Sequence, residues 1–159
     1  MRRACLAALV AACCGTVAAA PAKAHWENTR WGMSEAQVIA ALRGSVRALP
    51  PAERRPIPGA RIEYRVGGEY HNGTLRLRVA FAFDGRSGGL VCVSAQADEI
   101  HGPALRARIE RQFGAPQERG QDPPTGGGIE TLGRTRPDEI DLQLAPGRPA
   151  TLLHCARGV

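Results

Sequence analysis

Polar and apolar residues alternate most regularly along the segment TLRLRVAFAF near the middle of the chain. Leu75, Leu77, Val79, Phe81 and Phe83 occupy every second position of this segment. Successive side chains of a β-strand point to opposite faces, so this period of two predicts a strand that buries one face. It is the clearest strand signal in the sequence.

Two runs on either side of this segment also have the character of strands. RIEYRV places Ile62, Tyr64 and Val66 on one predicted face, and LVCVSAQA follows the turn sequence DGRSGG. The pairs Gly67-Gly68 and Asn72-Gly73 separate the first run from TLRLRVAFAF and predict a break in the strand there. Together the three runs predict an antiparallel meander with one buried face.

A helix is predicted ahead of this meander. Ser34 suits the N-cap position and Gln37 completes a capping box, in which each side chain meets an unpaired backbone N–H. Val38 and Leu42 then recur at helical spacing, and Gly44 suits a helix end. The proline-rich segment LPPAERRPIPG that follows predicts a long loop, because proline removes backbone donors.

The second part of the chain repeats this order. Leu105, Ile109 and Phe113 form one helical stripe between Gly102 and Gly114. APQERGQDPPTGGG then predicts a loop, and IETLGR, EIDLQLA and ATLLHCA predict three strands.

We therefore expect an α+β fold made of two similar units, residues 32–98 and 102–157. Each unit is predicted to be a helix followed by an antiparallel meander of three to four strands. Each is too small to bury much apolar surface alone, so the two are expected to share one core.

The N-terminal residues have the pattern of a secretory signal peptide. Two arginines precede an apolar run, Ala4–Ala20, and an A-x-A site ends at Ala24. Cleavage is predicted between Ala24 and His25, which leaves residues 25–159 as a single compact domain in the periplasm. An uncleaved membrane anchor is the alternative, although the apolar run is short for a membrane span.

The cysteines add two further alternatives. Val10-Ala11-Ala12-Cys13 resembles a bacterial lipobox, so Cys13 is a candidate lipidation site that would tether the protein to a membrane. Cys92 and Cys155 lie outside the signal segment. In an oxidising compartment they either form one disulfide or remain two separate buried thiols.

Composition and motifs argue against several functional classes. The formal net charge is +6, yet arginine is interspersed with acids and aromatic residues make up 4% of the chain, which disfavours nucleic-acid binding. No histidine spacing matches a zinc motif, and no serine lies in a nucleophile elbow. The acidic group Asp138, Glu139 and Asp141 is interpreted as a solvated strand face. We predict no catalytic residue, no metal and no cofactor.

The segment WGMSEAQVIAAL, Trp31 to Leu42, resembles the helix start of small bacterial envelope proteins of the SmpA/OmlA type. The segment IERQFGAP resembles the same helix start more weakly. The duplicated helix-plus-sheet order is similar to the tandem fold of the β-lactamase-inhibitory-protein type. These relatives are binding proteins, so the resemblance implies a non-catalytic role in the cell envelope.

The expected function is therefore binding of an unidentified protein partner, through an exposed sheet face and the long loops. Trp26 and Trp31 either staple the N-terminal segment to the core or act as exposed anchors for the partner. Arg76 and Arg78 project from the predicted non-core face, where they form ion pairs or meet an anionic ligand.

The alternative is a small metal-handling protein or hydrolase that uses histidines and carboxylates. The candidate residues for this chemistry are His25, His71, His101 and His154. A histidine beside an acid in a concave site would favour this alternative, whereas a wide sheet carrying Arg, Thr and Gln would favour binding.

Overall fold

The computed structural model describes residues 26–122, 127–133, 138–145, 147–156 and 158. The predicted signal peptide, the lipidation candidate Cys13 and His25 lie outside these residues. Within the described part of the chain, no helix is long and apolar enough to cross a membrane.

The described residues form two helices and one antiparallel sheet, which confirms the α+β class. The helices are α1 (Glu35–Ala41) and α2 (Gly102–Phe113). The strands are β1 (Val46–Ala48), β2 (Arg55–Pro56), β3 (Ile62–Asn72), β4 (Leu75–Asp84), β5 (Leu90–Ala97), β6 (Glu118–Asp122), β7 (Gly127–Gly133), β8 (Asp138–Leu144) and β9 (Ala150–Ala156). The strand order is β1-β3-β4-β5-β9-β8-β7-β6. The short strand β2 is not part of this linear order and pairs with β3.

Helix α1 begins as its sequence predicts. The Ser34 hydroxyl accepts a hydrogen bond from the Gln37 N–H at 3.4 Å, and the Gln37 amide oxygen accepts from the Ser34 N–H at 2.9 Å. Val38 and Leu42 are buried, and Gly44 adopts a φ of +81° just beyond the helix. These local signals are short-range, so they act in the same way whatever the rest of the chain does.

The centre of the sheet is the pairing of β5 with β9, which runs from Cys92↔Cys155 to Ala97↔Ala150. This pairing joins the first and second parts of the chain. The buried residues of α1 and α2 belong to one hydrophobic cluster with those of the strands. Both helices therefore pack on the same face of the sheet, and the two parts share one core as expected.

The alternation in β3 differs from the prediction. A β-bulge between Tyr64 and Val66 shifts the register against β4. As a result Ile62 and Tyr64 pack in a small second cluster on the other face of the sheet, and Val66 packs in the main core. The prediction that all three share a face was wrong, because an extra residue reverses the side-chain alternation.

Of the two predicted breaks, Gly67-Gly68 is wrong, since β3 continues through it to Asn72. The chain turns at the second, where Gly73 adopts a φ of +61°. Gly67 and Gly68 pair with Arg47 and Val46 of β1. A Cβ atom on Gly68 would lie 2.4 Å from the Ser45 carbonyl oxygen. The glycine is needed because another backbone approaches closely, not because the chain turns.

The segment 115–128 was predicted to be a loop, but it contains β6 and the start of β7. Strand β6 pairs with β7 from Glu118↔Thr131 to Asp122↔Gly127 and forms one edge of the sheet. Its sequence, ERGQD, lacks apolar alternation. Charged and polar residues are tolerated at a sheet edge, where the backbone pairing itself defines the strand.

We expect Gly68→Ala to destabilise the protein by about 2 kcal/mol or more, since the added methyl group overlaps backbone atoms that cannot move freely. Gly120→Ala is the matched control, because an added Cβ at this sheet position meets nothing within 4 Å. Urea unfolding of the two variants measures the difference. Equal urea midpoints for the two variants would show that β1 does not pair with β3 at Gly68 as described.

Candidate functional site

The helices cover one face of the sheet and leave the opposite side of its central strands as a surface. We define the open face as two rows of side chains across β4, β5, β9 and β8. They are Arg78, Gln96, Thr151 and Gln143 in one row and Ala80, Ser94, Leu153 and Asp141 in the other. Their neighbours along each strand lie in the core, so these side chains point away from the helices.

The open face mixes apolar, polar and charged side chains. Leu153 lies near its centre and is partly exposed, with Ser94 beside it on β5 and Asp141 on β8. The other members are small or uncharged apart from Arg78. Four strands at the usual spacing make this surface roughly 15 Å wide.

One end of the open face is covered by the second cluster. Ile62, Ala82 and Cys92 are buried there, and Ile57 from the proline-rich segment packs against them. Tyr64 borders this cluster, and burial raises the pKa of its phenol although a hydrogen bond with Ser94 opposes the shift. The accessible part of the face therefore begins beyond Tyr64.

Arg76 and Arg78 lie toward the other end and are exposed, as their strand positions predict. In the described part of the chain, neither guanidinium lies within ion-pair distance of a carboxylate. They line a depression of 240 Å³ together with Gln96, Asp98 and other residues. The expectation of intramolecular ion pairs for these two arginines is therefore not met.

Trp26 is part of the core. Its side chain is 1% exposed and belongs to the main hydrophobic cluster. The backbone around it forms a tight turn, in which the Thr29 N–H and hydroxyl both donate to the Trp26 carbonyl at 2.7 Å. This burial fits the staple interpretation and does not fit an exposed partner anchor.

Trp31 staples the N-terminal segment to the second part of the chain. Its indole N–H donates to a carboxylate oxygen of Asp138 at 2.7 Å. Its ring meets the His154 imidazole edge to face, with centroids 5.1 Å apart, and Phe113 meets the same imidazole at 5.3 Å. Trp31 is only partly buried, but its polar and apolar contacts are directed inward.

Asp138 lies within this cluster, so its interpretation as part of a solvated acidic strand face was wrong. It shares the strand parity of Ile140, whose side chain is in the core, and not that of Glu139. A carboxylate oxygen of Asp138 lies 3.4 Å from Nε2 of His154. The predicted strand begins at Glu139. A start at Asp138 would have placed Asp138 on the core face, because it alternates in step with Ile140.

A second set of polar contacts joins the N-terminal turn to α2 and β3. The Glu27 carboxylate forms an ion pair with Arg108 of α2 and accepts a hydrogen bond from the Tyr70 hydroxyl at 2.8 Å. Burial, the hydrogen bond and the negative charge of Glu27 raise the pKa of Tyr70. Nothing in the sequence indicated this pairing, because its members come from three distant segments.

The histidines do not converge on one site. His101 lies beside Asp98, with Nδ1 and the carboxylate 2.5 Å apart, and His71 is 3.7 Å from Glu69. His154 is buried on the core face, whereas its neighbour Cys155 belongs to the second cluster on the other face. Across the described ranges, no group of three or more His, Cys, Asp or Glu residues is placed to hold a metal ion.

Cys92 and Cys155 form a disulfide between directly paired residues of β5 and β9. Their Cα atoms lie 4.1 Å apart. The structure thus agrees with the paired alternative and not with two separate thiols. The bond links the two central strands and lies at the covered end of the open face.

Comparison with protein-family models, curated proteins and solved structures yields no match for this chain. The resemblance of Trp31 to Leu42 to SmpA/OmlA-type proteins therefore stays a prediction.

We expect Trp26→Ala to lower the free energy of unfolding by about 3–5 kcal/mol, the usual cost of truncating a fully buried tryptophan. Trp31→Ala should cost less, about 1–2 kcal/mol, since the ring is only partly buried and loses one hydrogen bond. Trp31→Phe is the control that keeps a ring against His154. Urea unfolding ranks the three variants, and a larger effect at Trp31 than at Trp26 would contradict these contacts.

Reduction of the disulfide should lower the free energy of unfolding by about 4 kcal/mol, because the bond closes a long loop in the unfolded chain. The sequence separation of the two cysteines is 63 residues. Urea unfolding with and without dithiothreitol measures the effect, and Cys92→Ser/Cys155→Ser should unfold like the reduced protein under both conditions. In the processed protein that begins at His25, two titratable thiols in the denatured, unreduced state would disprove the bond.

Proposed function

We propose that this chain is an exported, non-enzymatic protein of the bacterial periplasm or cell envelope that binds another protein through its open face. The observation that carries the proposal is the difference between the two sides of the sheet. The helix side is closed by a continuous core, whereas the open face presents Leu153 among small and polar side chains. A mixed surface of this width resembles the composition of transient protein interfaces.

The strand order supports a scaffold of two similar units. One unit comprises α1 and the meander β3-β4-β5, and the other comprises α2 and the meander β7-β8-β9. Each unit ends in one of the two central strands, so the sheet has a symmetric order about the β5–β9 pair. This arrangement is what a duplicated helix-plus-sheet unit would produce, as in the SmpA/OmlA and β-lactamase-inhibitory-protein types.

Export is supported by the N-terminal sequence pattern and by the disulfide. Structural disulfides persist mainly in oxidising compartments such as the periplasm. The signal is proposed to be cleaved after Ala24, and lipidation at Cys13 is the alternative that would tether the same domain to a membrane.

The contact between His154 and Asp138 is the observation that favours the enzymatic alternative. A carboxylate beside an imidazole is a common acid–base arrangement, but the imidazole must reach a substrate. His154 is 0% exposed and lies between the rings of Trp31 and Phe113. His154 therefore does not reach a substrate. His101 beside Asp98 is more exposed, but within the described residues it belongs to no group of three or more His, Cys, Asp or Glu side chains that could hold a metal ion. A binding role fits this geometry better than hydrolysis.

The proposed interface predicts a position-dependent crosslink. We expect the photocrosslinking amino acid p-benzoylphenylalanine at position Leu153 to capture a discrete partner in the intact cell envelope, because that side chain faces outward at the centre of the open face. Ala107 is the control position, since it is exposed on α2 on the opposite side of the sheet. The readout is a shifted band on an immunoblot, identified by mass spectrometry.

Equal capture from both positions would mean that the open face is not the interface. Absence of any ultraviolet-dependent product at Leu153, in cells that produce the folded protein, would contradict partner binding through this face.

A further inference from the structure

We propose that Asn72 is a site of spontaneous deamidation and that Arg108 sets the rate of this reaction in the folded protein. Asn72 ends β3, and Gly73 begins the turn that leads to β4. Glycine has no side chain to obstruct its nitrogen, so this nitrogen can reach the side-chain amide of a preceding asparagine. The reaction needs water and no partner protein, and it is independent of the proposed binding function.

The covalent steps conserve atoms and need no oxidant or reductant. The Gly73 nitrogen gives up its proton and bonds to Cγ of Asn72. The side-chain amino group of Asn72 takes up a proton and leaves as ammonia, so that a cyclic imide remains. Water then opens the imide at either carbonyl, which gives aspartate or isoaspartate at position 72. In isoaspartate the main chain runs through the former side chain and is longer by a methylene group.

The turn leaves the attacking nitrogen accessible. Asn72 pairs with Leu75, so Gly73 and Thr74 form a two-residue hairpin loop. Gly73 is exposed, with a φ of +61°, and a Cβ atom there would meet nothing within 4 Å. Among the described residues, the Gly73 N–H donates no backbone hydrogen bond. The nucleophile of the first step is therefore not held by the fold.

The side-chain amide of Asn72, by contrast, is held in a polar network. Its oxygen accepts hydrogen bonds from Nη1 and Nη2 of Arg108 at 2.6 and 3.2 Å. Burial raises the pKa of Tyr70, and a hydrogen bond between Asn72 and Tyr70 opposes that rise. Arg108 and Tyr70 both contact Glu27 as well, so Asn72 belongs to the set of contacts that joins the N-terminal turn to α2 and β3.

These contacts oppose cyclisation. Cγ of Asn72 must leave Arg108 and turn back to the Gly73 nitrogen before a bond can form, because such an attack requires close and aligned approach. The pairing of Asn72 with Leu75 also restrains the backbone on which this movement depends. The fold should therefore slow the reaction, and loss of the Arg108 contact should accelerate it.

The other asparagine of the chain, Asn28, is an internal control. Thr29 follows it, and the branched side chain of threonine obstructs the approach of its own nitrogen. Thr29 is buried, and its N–H donates to the Trp26 carbonyl at 2.7 Å. The nucleophile at Asn28 is therefore occupied, and we expect no deamidation there.

The pair Asp84-Gly85 is a second internal control, because aspartate before glycine can form the same cyclic imide. Here the nitrogen is occupied, since the Gly85 N–H donates to the Arg61 carbonyl at 2.7 Å. Hydrogen bonds from the Ser87 N–H and hydroxyl hold the pKa of the Asp84 carboxyl below its usual value. An ionised carboxylate is a poor electrophile, so we expect no isoaspartate at this pair.

The products would disturb the network that now holds the amide. Either product places a carboxylate beside Arg108, where it competes with Glu27 for the guanidinium. The isoaspartate product also lengthens the main chain where β3 pairs with Leu75, whose side chain is buried in the core. We expect the isoaspartate form, separated by ion exchange, to unfold at a lower urea concentration than the unmodified protein.

The test incubates the purified, folded protein in mildly alkaline buffer and follows conversion at each asparagine by peptide mapping with mass spectrometry. We expect conversion at Asn72 and none at Asn28. Arg108→Ala should raise the rate at Asn72 by about tenfold, the factor expected for loss of a hydrogen bond to a charged group. Arg111→Ala removes an exposed arginine from the same helix and is the matched control, which should leave the rate unchanged.

Incubation in denaturing urea supplies the reference rate, since no fold then holds the amide. The rate at Asn72 in the wild-type protein should be at least about tenfold lower in the folded state than in urea, and Arg108→Ala should change nothing in urea. If Arg108→Ala does not fold, Arg108→Lys replaces it. Lysine keeps the charge but cannot contact the amide oxygen through two nitrogens, so a smaller acceleration is expected.

Three results would overturn the proposal. Equal rates in the folded and unfolded wild-type protein would mean that the fold does not hold the amide. A slower reaction in the folded Arg108 variant than in the wild type would mean that the guanidinium polarises the amide and promotes attack. Absence of conversion at Asn72 in every folded variant would mean that this position is not a deamidation site in the native protein.

Discussion

The pairing of β5 with β9 is the constraint on which the rest of the structure depends. These two strands come from different parts of the chain, and their direct contact converts two small meanders into one continuous sheet. Neither meander buries enough apolar surface alone, because small units remove too little of their surface from water. The Cys92–Cys155 disulfide holds the same pair of strands together covalently.

Joining the strands in this way places both helices on one side of the sheet. Val38 of α1 and Ile109 of α2 belong to the same core cluster, so the helices cover the sheet on that side. The other side of the central strands carries side chains of the opposite parity and becomes the open face. The position of the open face is thus a consequence of how the core is formed.

The N-terminal segment completes the core on the helix side. Trp26 fills it, Trp31 joins it to Asp138 and His154, and Glu27 joins it to Arg108 and Tyr70. The two tryptophans precede the first helix because that short segment crosses from one part of the chain to the other. Large aromatic side chains bury much apolar surface per residue, which suits a short segment that must hold to the core.

Much of the fold followed from the sequence, because its signals are local. The capping box at Ser34, the alternation from Leu75 to Phe83 and the helix from Gly102 to Phe113 were all predicted with nearly their observed bounds. Tertiary structure alone decided the bulge after Tyr64, the role of Gly68 and the edge strand β6. Each depends on how two backbones pair in the folded sheet, β3 with β4 at the bulge, β3 with β1 at Gly68 and β6 with β7 at the edge. Neither residue type nor periodicity records that pairing. The same holds for the candidate site. Alternation predicts that Arg78 lies on the outward face of its strand, but only the folded sheet places Leu153 between Ser94 and Asp141.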